Sequence, residues 1–201
     1  MRIEVQHNFG IIAKRLQELK DDIQNKVLAQ TVNALAVEAQ RNMTTEIAAE
    51  FNITRREALE YLRIDRATAK AGARFVMARL YAPPRKKGRG FNLIRFVEKK
   101  VTFAEMRRRK KAGTLAQLRV QIKRGGGPKT LHGAFIANNG RTVFVREGKA
   151  RLPIKALTTI DVAQMFNTKR VKSRVVAKIK AGAPYMLRDK LAMVIKGKRP
   201  D

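Results

Sequence analysis

The chain has 201 residues, 44% of them apolar and none of them cysteine, with 45 lysines and arginines against 16 acids and a net charge of +29. Such a length and apolar content suit one folded domain with a hydrophobic core. The charge repels itself in any compact state and calls for a polyanionic or strongly acidic partner. The lack of cysteine excludes disulfides and thiolate metal sites and fits a reducing compartment. No run approaches the roughly 18 apolar residues of a membrane span, and MRIEVQHNFG, with Glu4 and no apolar segment, does not read as a signal peptide.

The charge is unevenly placed. Of the 45 basic and 16 acidic residues, six and seven fall in residues 1–50, for a net of −1; the other 39 and nine give residues 51–201 a net of +30. In the neutral part, Ile12, Leu16, Leu19, Ile23 and Val27 recur at helical spacing, and Leu28, Val32, Leu35, Ala39 and Met43 follow in the same rhythm. They predict two helices, or one long bent helix, over 9–50, with Lys14, Gln17 and Asp21 on the polar side of the first.

Thr54 and Glu57 have the spacing of a capping box and open another helix. TTEIAAEFN followed by ITRREALEYLR has the outline of a helix-turn-helix with Thr54, Arg55 and Arg56 at the contact positions, but no glycine marks the turn and the signal is weak. Ile64–Thr68 and Arg74–Tyr81 read as the two strands of a hairpin that Pro83 and Pro84 terminate. Beyond them lie two basic blocks, Arg85, Lys86, Lys87 and Arg89, then Arg107, Arg108, Arg109, Lys110 and Lys111, separated by a short apolar return, Phe91–Val97. From Arg85 to Lys111 twelve cations face only Glu98 and Glu105. Phosphate binding needs clustered cations and little geometry, so these blocks are the candidate contacts to nucleic acid or to an acidic partner.

Leu118, Val120 and Ile122 alternate with Arg119, Gln121 and Lys123, as in a half-buried strand. The following Gly125-Gly126-Gly127-Pro128-Lys129-Thr130 fails as a phosphate-cradling loop, because Pro128 stands where the second glycine must be. Two apolar runs, Ala134–Ala137 and Thr142–Val145, flank Asn139-Gly140, the pair best suited to φ > 0 at both centres of a type I′ turn. Strands near 116–124, 132–138 and 142–147 predict an antiparallel meander, with Leu152-Pro153-Ile154 at its edge. The C-terminal part reads as helices over 160–166, 171–180 and 185–195, broken at Gly182-Ala183-Pro184 and ending in a basic tail.

The predicted fold class is therefore α+β: N-terminal helices packed on an antiparallel β-sheet of hairpins, with C-terminal helices. One structural domain is expected, divided into residues 1–82, a basic insertion loop over 83–114, the meander over 115–155 and a helical segment over 156–201. Catalysis has no support. The two histidines, His7 and His132, stand in no motif, metal-ligand spacing is missing, and no serine sits in a nucleophile elbow. Neither an enzyme, a cofactor nor a metal site is expected.

The order GAFI, Asn139-Gly140-Arg141, Val143-Phe144-Val145-Arg146, Gly148-Lys149 and Arg151-Leu152-Pro153-Ile154, closed by a helix ending LAMVIK, resembles the minor tail protein Z family of tailed phages and prophages. The specific residues lie between Gly133 and Ile154, with Gly133, Phe135, Gly140, Arg146 and Pro153 in structural roles. The resemblance implies a virion protein of the tail that assembles in the host cytoplasm. It would sit as a homo-oligomeric ring, a hexamer, at the head-proximal end, bind other tail and neck proteins, complete the tail for head-tail joining and let DNA pass through its lumen, with no membrane involved. A ribosomal or other basic nucleic-acid-binding protein would share the charge and the size, but the neutral, amphipathic first 50 residues speak against it.

Overall fold

The computed structural model describes residues 21–68, 76–83, 90–98, 108, 118–148, 150 and 152–196. The architecture is α+β, with a long N-terminal helix, small antiparallel sheets and C-terminal helices. The chain forms two compact units, one of residues 1–48, 54–83 and 166–201, the other of residues 49–53 and 84–165.

In the first unit, α1 (Asp21–Glu50) is a single helix. Val27, Thr31, Ala39, Met43 and Ile47 are buried along it, mostly four apart, which keeps them on one face. The second predicted stripe thus lies inward at Ala39 and Met43, whereas Ile23 is 38% exposed. Ile12, Leu16 and Leu19 fall outside the described residues. Polar side chains on α1 tie down the chain that returns past it. Asn33 clamps the backbone of one residue, its amide donating to the Ala67 carbonyl at 3.0 Å and its Oδ1 accepting from the Ala67 N–H at 2.7 Å. One face-repeat later, Gln40 donates to the Leu62 carbonyl.

The capping box forms as the spacing predicts. Thr54 Oγ1 accepts from the Glu57 N–H, and the Thr54 N–H donates to the Glu57 carboxylate. The helix it opens, α2 (Arg55–Leu59), has only five residues, too short to serve as a recognition helix, so the helix-turn-helix outline is not realised. Its predecessor is the end of α1, after which Phe51 forms an isolated antiparallel bridge with Lys123 and the Asn52 N–H donates to the Ile122 carbonyl at 2.8 Å. Of the two strands predicted before Pro83, Arg63–Asp65 (β1) pairs antiparallel with Arg79–Tyr81 (β2), with Ile64 opposite Leu80, both shorter than expected; residues 69–75, which include Arg74 and the link between the strands, lie outside the described residues.

The C-terminal helix departs from expectation. Lys169–Ile195 is one continuous helix of 27 residues with Pro184 inside it. Val171, Val175, Ile179, Ala183, Leu187 and Leu191 are all buried, every fourth residue, and the row runs through the proline without a change of phase. An internal proline removes one N–H and crowds the carbonyl four residues back, a cost of about 3 kcal/mol. Burial of Ala183 and Leu187 on either side offsets it. The helix lies antiparallel to α1, because Val27 near the start of α1 packs with Leu187 and Leu191, while Glu46 near its end meets Arg174 and Lys178.

Instead of one meander, the strands of the described residues form separate ladders. In the second unit β4 (Leu118–Val120) pairs with β5 (Lys129–Leu131), β3 (Phe91–Asn92) with β9 (Thr158–Thr159), and β6 (Ala134–Ala137), β7 (Thr142–Arg146) and β8 (Ile154–Ala156) form a three-stranded sheet. The apolar return inside the basic stretch lies between them. Along Phe91–Glu98, Leu93 N–H donates to the Leu157 carbonyl on one side, and the Phe96 carbonyl accepts from Gln121 N–H on the other. Phe91, Leu93, Phe96 and Val97 are buried, so the segment inserts into the core and separates the strands that sequence proximity would join. The last short helix, α3 (Val162–Phe166), opens on a second reciprocal cap between Asp161 and Gln164.

Candidate functional site

The hairpin of β6 and β7 is built by its turn. The loop is residues 138–141, beyond the last pair Ala137–Thr142: the Asn138 carbonyl accepts from the Arg141 N–H at 3.0 Å, Asn139 and Gly140 have φ of 52° and 78°, the sign a type I′ turn requires at its two centres, and Asn138 too is at positive φ, 55°. This places Phe135 opposite Phe144 and Ile136 opposite Val143. Ile136 and Val143 face the core. On the other face the Phe135 and Phe144 rings stack with centroids 6.1 Å apart, and the Arg146 guanidinium lies over Phe135 at 5.1 Å. Ile154, opposite Arg146 on the edge strand, is exposed on that same face, and Leu152 is two-thirds exposed beside it. Gly133, at φ 68°, makes the turn from β5 to β6, and Pro153, joined to Leu152 by a cis peptide, leads into β8.

Gly140→Ala is expected to cost about 1–2 kcal/mol, the price of holding an L-residue at positive φ. No atom crowds the added methyl group, so the loss is conformational alone. Urea denaturation checks it; an unchanged midpoint would mean that the turn carries no such strain.

Of the residues assigned above to the hairpin, the fold therefore brings Phe135 and Arg146 into contact and sets Gly133 and Gly140 in the turns that present them. Arg85, Lys86, Lys87, Arg89, Arg107, Arg109, Lys110 and Lys111 lie outside the described residues; Arg108 is described and exposed. His132 is exposed in the turn at Gly133. Among the described residues no cluster of histidine, aspartate or glutamate could hold a metal ion, and no helix is long and apolar enough to cross a membrane. Chemically, then, one face of the sheet carries stacked aromatic rings, an arginine and exposed aliphatic side chains, and aromatic residues and arginine are among the residue types enriched at protein interfaces.

One charged constellation was not legible beforehand. Glu46, with 10% of its side chain exposed, accepts from Lys178 Nζ at 2.7 Å and from Arg174 at 3.2 Å. The Lys178 hydrogen bond, with Arg174 behind it, holds the Glu46 carboxyl below the usual carboxylate range against the opposing effect of burial. A carboxylate with a depressed folded-state pKa stabilises the fold fully above its unfolded value of about 4.3, and that contribution is lost as pH falls through the folded value. Both cations keep about half their surface, and solvent screens the pair accordingly. Glu46→Gln is thus expected to cost about 1 kcal/mol at pH 7 and less at about pH 3, as the carboxylate takes up its proton. Chemical denaturation of both proteins at the two pH values checks it, and a gap that widens in acid would contradict the assignment.

Comparison with protein families decides the relationship: the model of the prophage minor tail protein Z (GPZ) family matches residues 11–197. The chain belongs to that family. It is a phage minor tail protein, a component of the virion tail. The match takes in both units and the whole motif from Gly133 to Ile154. Comparison with curated proteins and with solved structures finds no match.

Proposed function

We propose that this minor tail protein completes the tail at its head-proximal end, where a homo-oligomeric ring, a hexamer, joins tail to filled head and surrounds the passing DNA. Family membership over residues 11–197 carries the reading. The charge adds its direction: a protein of +29 with its N-terminal 50 residues neutral divides naturally into helices that meet other subunits and a basic remainder that meets a polyanion. The blocks Arg85, Lys86, Lys87, Arg89 and Arg107–Lys111 are assigned to DNA in the lumen or to an acidic neighbouring ring. The aromatic face of the three-stranded sheet, around Phe135, Phe144 and Arg146, is assigned to contacts with other tail or neck proteins.

The test is deletion of the gene in its phage or prophage, with particles examined by negative-stain microscopy and titred for infectivity. Free tails beside filled heads, or joined particles that fail to infect, are expected. Normal infectious particles would sink the reading and bring RNA binding forward. Because six copies each carry +29, the purified protein should close into rings only when salt or a polyanion screens the charge; analytical ultracentrifugation at low and high ionic strength measures this.

A further inference from the structure

The first half of the C-terminal helix, α4 (Lys169–Ile195), carries Lys169, Arg170, Lys172, Arg174, Lys178 and Lys180 with no acid among residues 169–180. A helix turns about 100° per residue, so residues four apart form rows along it. The row Val171, Val175 and Ile179 is buried. The row on the opposite side, Lys169, Ser173, Ala177 and Ala181, is exposed throughout and small after its first member. Between these two rows lie Arg170, Arg174 and Lys178 on one flank and Lys172, Val176 and Lys180 on the other. From Ser173 onward the helix therefore presents a low, uncharged ridge with cations along both sides.

The arrangement works against the helix that bears it. Three of the cations stand in the first turn, where there is no acid and Thr168 makes no side-chain cap, so they meet the positive end of the helix dipole. A polyanion lying along the helix reverses that sign. Glu46 orients Arg174 and Lys178 from the inner side, and they still expose 46% and 49% of their side chains.

We infer that this half-helix docks in the major groove of duplex DNA. Its ridge of Ser173, Ala177 and Ala181 faces the groove floor, and the two flanks reach the phosphates of the two strands. The groove, about 12 Å wide, admits one α-helix, and small residues on the leading row let the helix enter deeply enough for both flanks to reach. Phosphate contacts supply position and salt-dependent affinity. A ridge of Ser and Ala reads little of the base edges, so binding is tolerant of sequence, as a contact to passing DNA requires. Duplex RNA is excluded by shape, because its major groove is deep and too narrow for side chains to read.

The inference rests on the tail reading only in taking DNA as the polyanion. Its test uses purified full-length protein, so its failure leaves the head-tail assignment standing, and normal particles after gene deletion would leave it standing in turn. Fluorescence anisotropy with short random-sequence duplex DNA is measured across a salt series. Lys172→Gln/Lys180→Gln, which strips the cations from one flank, is expected to raise Kd about tenfold and to lower the log–log salt slope by about 1.8. A control, Arg55→Gln/Arg56→Gln, removes two exposed cations from α2 and should change Kd much less. Ala177→Trp alters no charge and projects from an exposed position, so it should preserve the melting temperature while weakening duplex binding about tenfold. Equal losses from the two charge pairs, unaltered binding by Ala177→Trp, or duplex RNA bound as tightly as duplex DNA would each overturn the inference.

Discussion

Gly90→Ala is expected to destabilise the protein by about 3 kcal/mol or more, because the new methyl carbon has nowhere to go. A Cβ built at Gly90 would stand 1.5 Å from the Thr159 carbonyl oxygen and 2.7 Å from its carbon. Both atoms are backbone, held by the ladder in which Phe91 pairs with Thr159 and Asn92 with Thr158. A flexible side chain could swing aside; a paired strand cannot do so without giving up its hydrogen bonds. The expected consequence is loss of the β3–β9 ladder, with faster hydrogen exchange at Leu93, whose N–H donates to Leu157. Gly125→Ala is the control, since its Cβ would meet nothing within 4 Å, and it should shift stability by no more than about 0.5 kcal/mol. Urea denaturation of the two variants decides the matter. If they match, β3 does not lie against β9 as described.

Leu187→Ala is expected to cost about 3 kcal/mol. Leu187 is 2% exposed and packs with Val27 and Leu191, with Leu28 and Val194 against the same cluster. Truncation removes the apolar contact and leaves a cavity where α1 and α4 meet, and close-packed neighbours relax only in part. Tyr185→Ala, two residues earlier and 71% exposed, should move stability by no more than about 0.5 kcal/mol. The contrast also tests the passage through Pro184. A helix broken at Gly182-Ala183-Pro184 would restart in a new phase, and nothing would then keep Leu187 in the row of Val175 and Ile179. Similar losses at both positions in thermal or urea unfolding would count against the continuous helix.

Much of the local structure was legible because its causes are local. The caps at Thr54 and the turn at Asn139-Gly140 depend on residues no more than three apart, and they form where the spacing places them. The spacing of Met43 and Ala39 likewise marked the inward side of α1. The order of motifs from Gly133 to Ile154 sufficed to indicate the family, which matches over residues 11–197. In the candidate site, Phe135 and Arg146 were singled out as structural residues, but their contact with each other and the stack on Phe144 depend on strand register.

What the amino-acid order determined by itself, then, is the family, the α+β class, the turns and caps, and the separation of a neutral N-terminal quarter from a strongly basic remainder. The tertiary structure alone decided the rest, wherever one segment's state depends on a distant partner. Phe91–Val97 reads as a brief apolar interval between basic blocks, and only contacts with Leu157 on one side and Gln121 on the other make it core. Pro184 reads as a helix end, and only the burial of Ala183 and Leu187 offsets its local cost. Glu46 reads as one more solvated acid on an amphipathic helix, until Arg174 and Lys178 arrive from a helix more than half the chain away. Propensity and spacing act over a turn or two of chain, whereas burial and pairing act across space, and the larger free energies belong to the second.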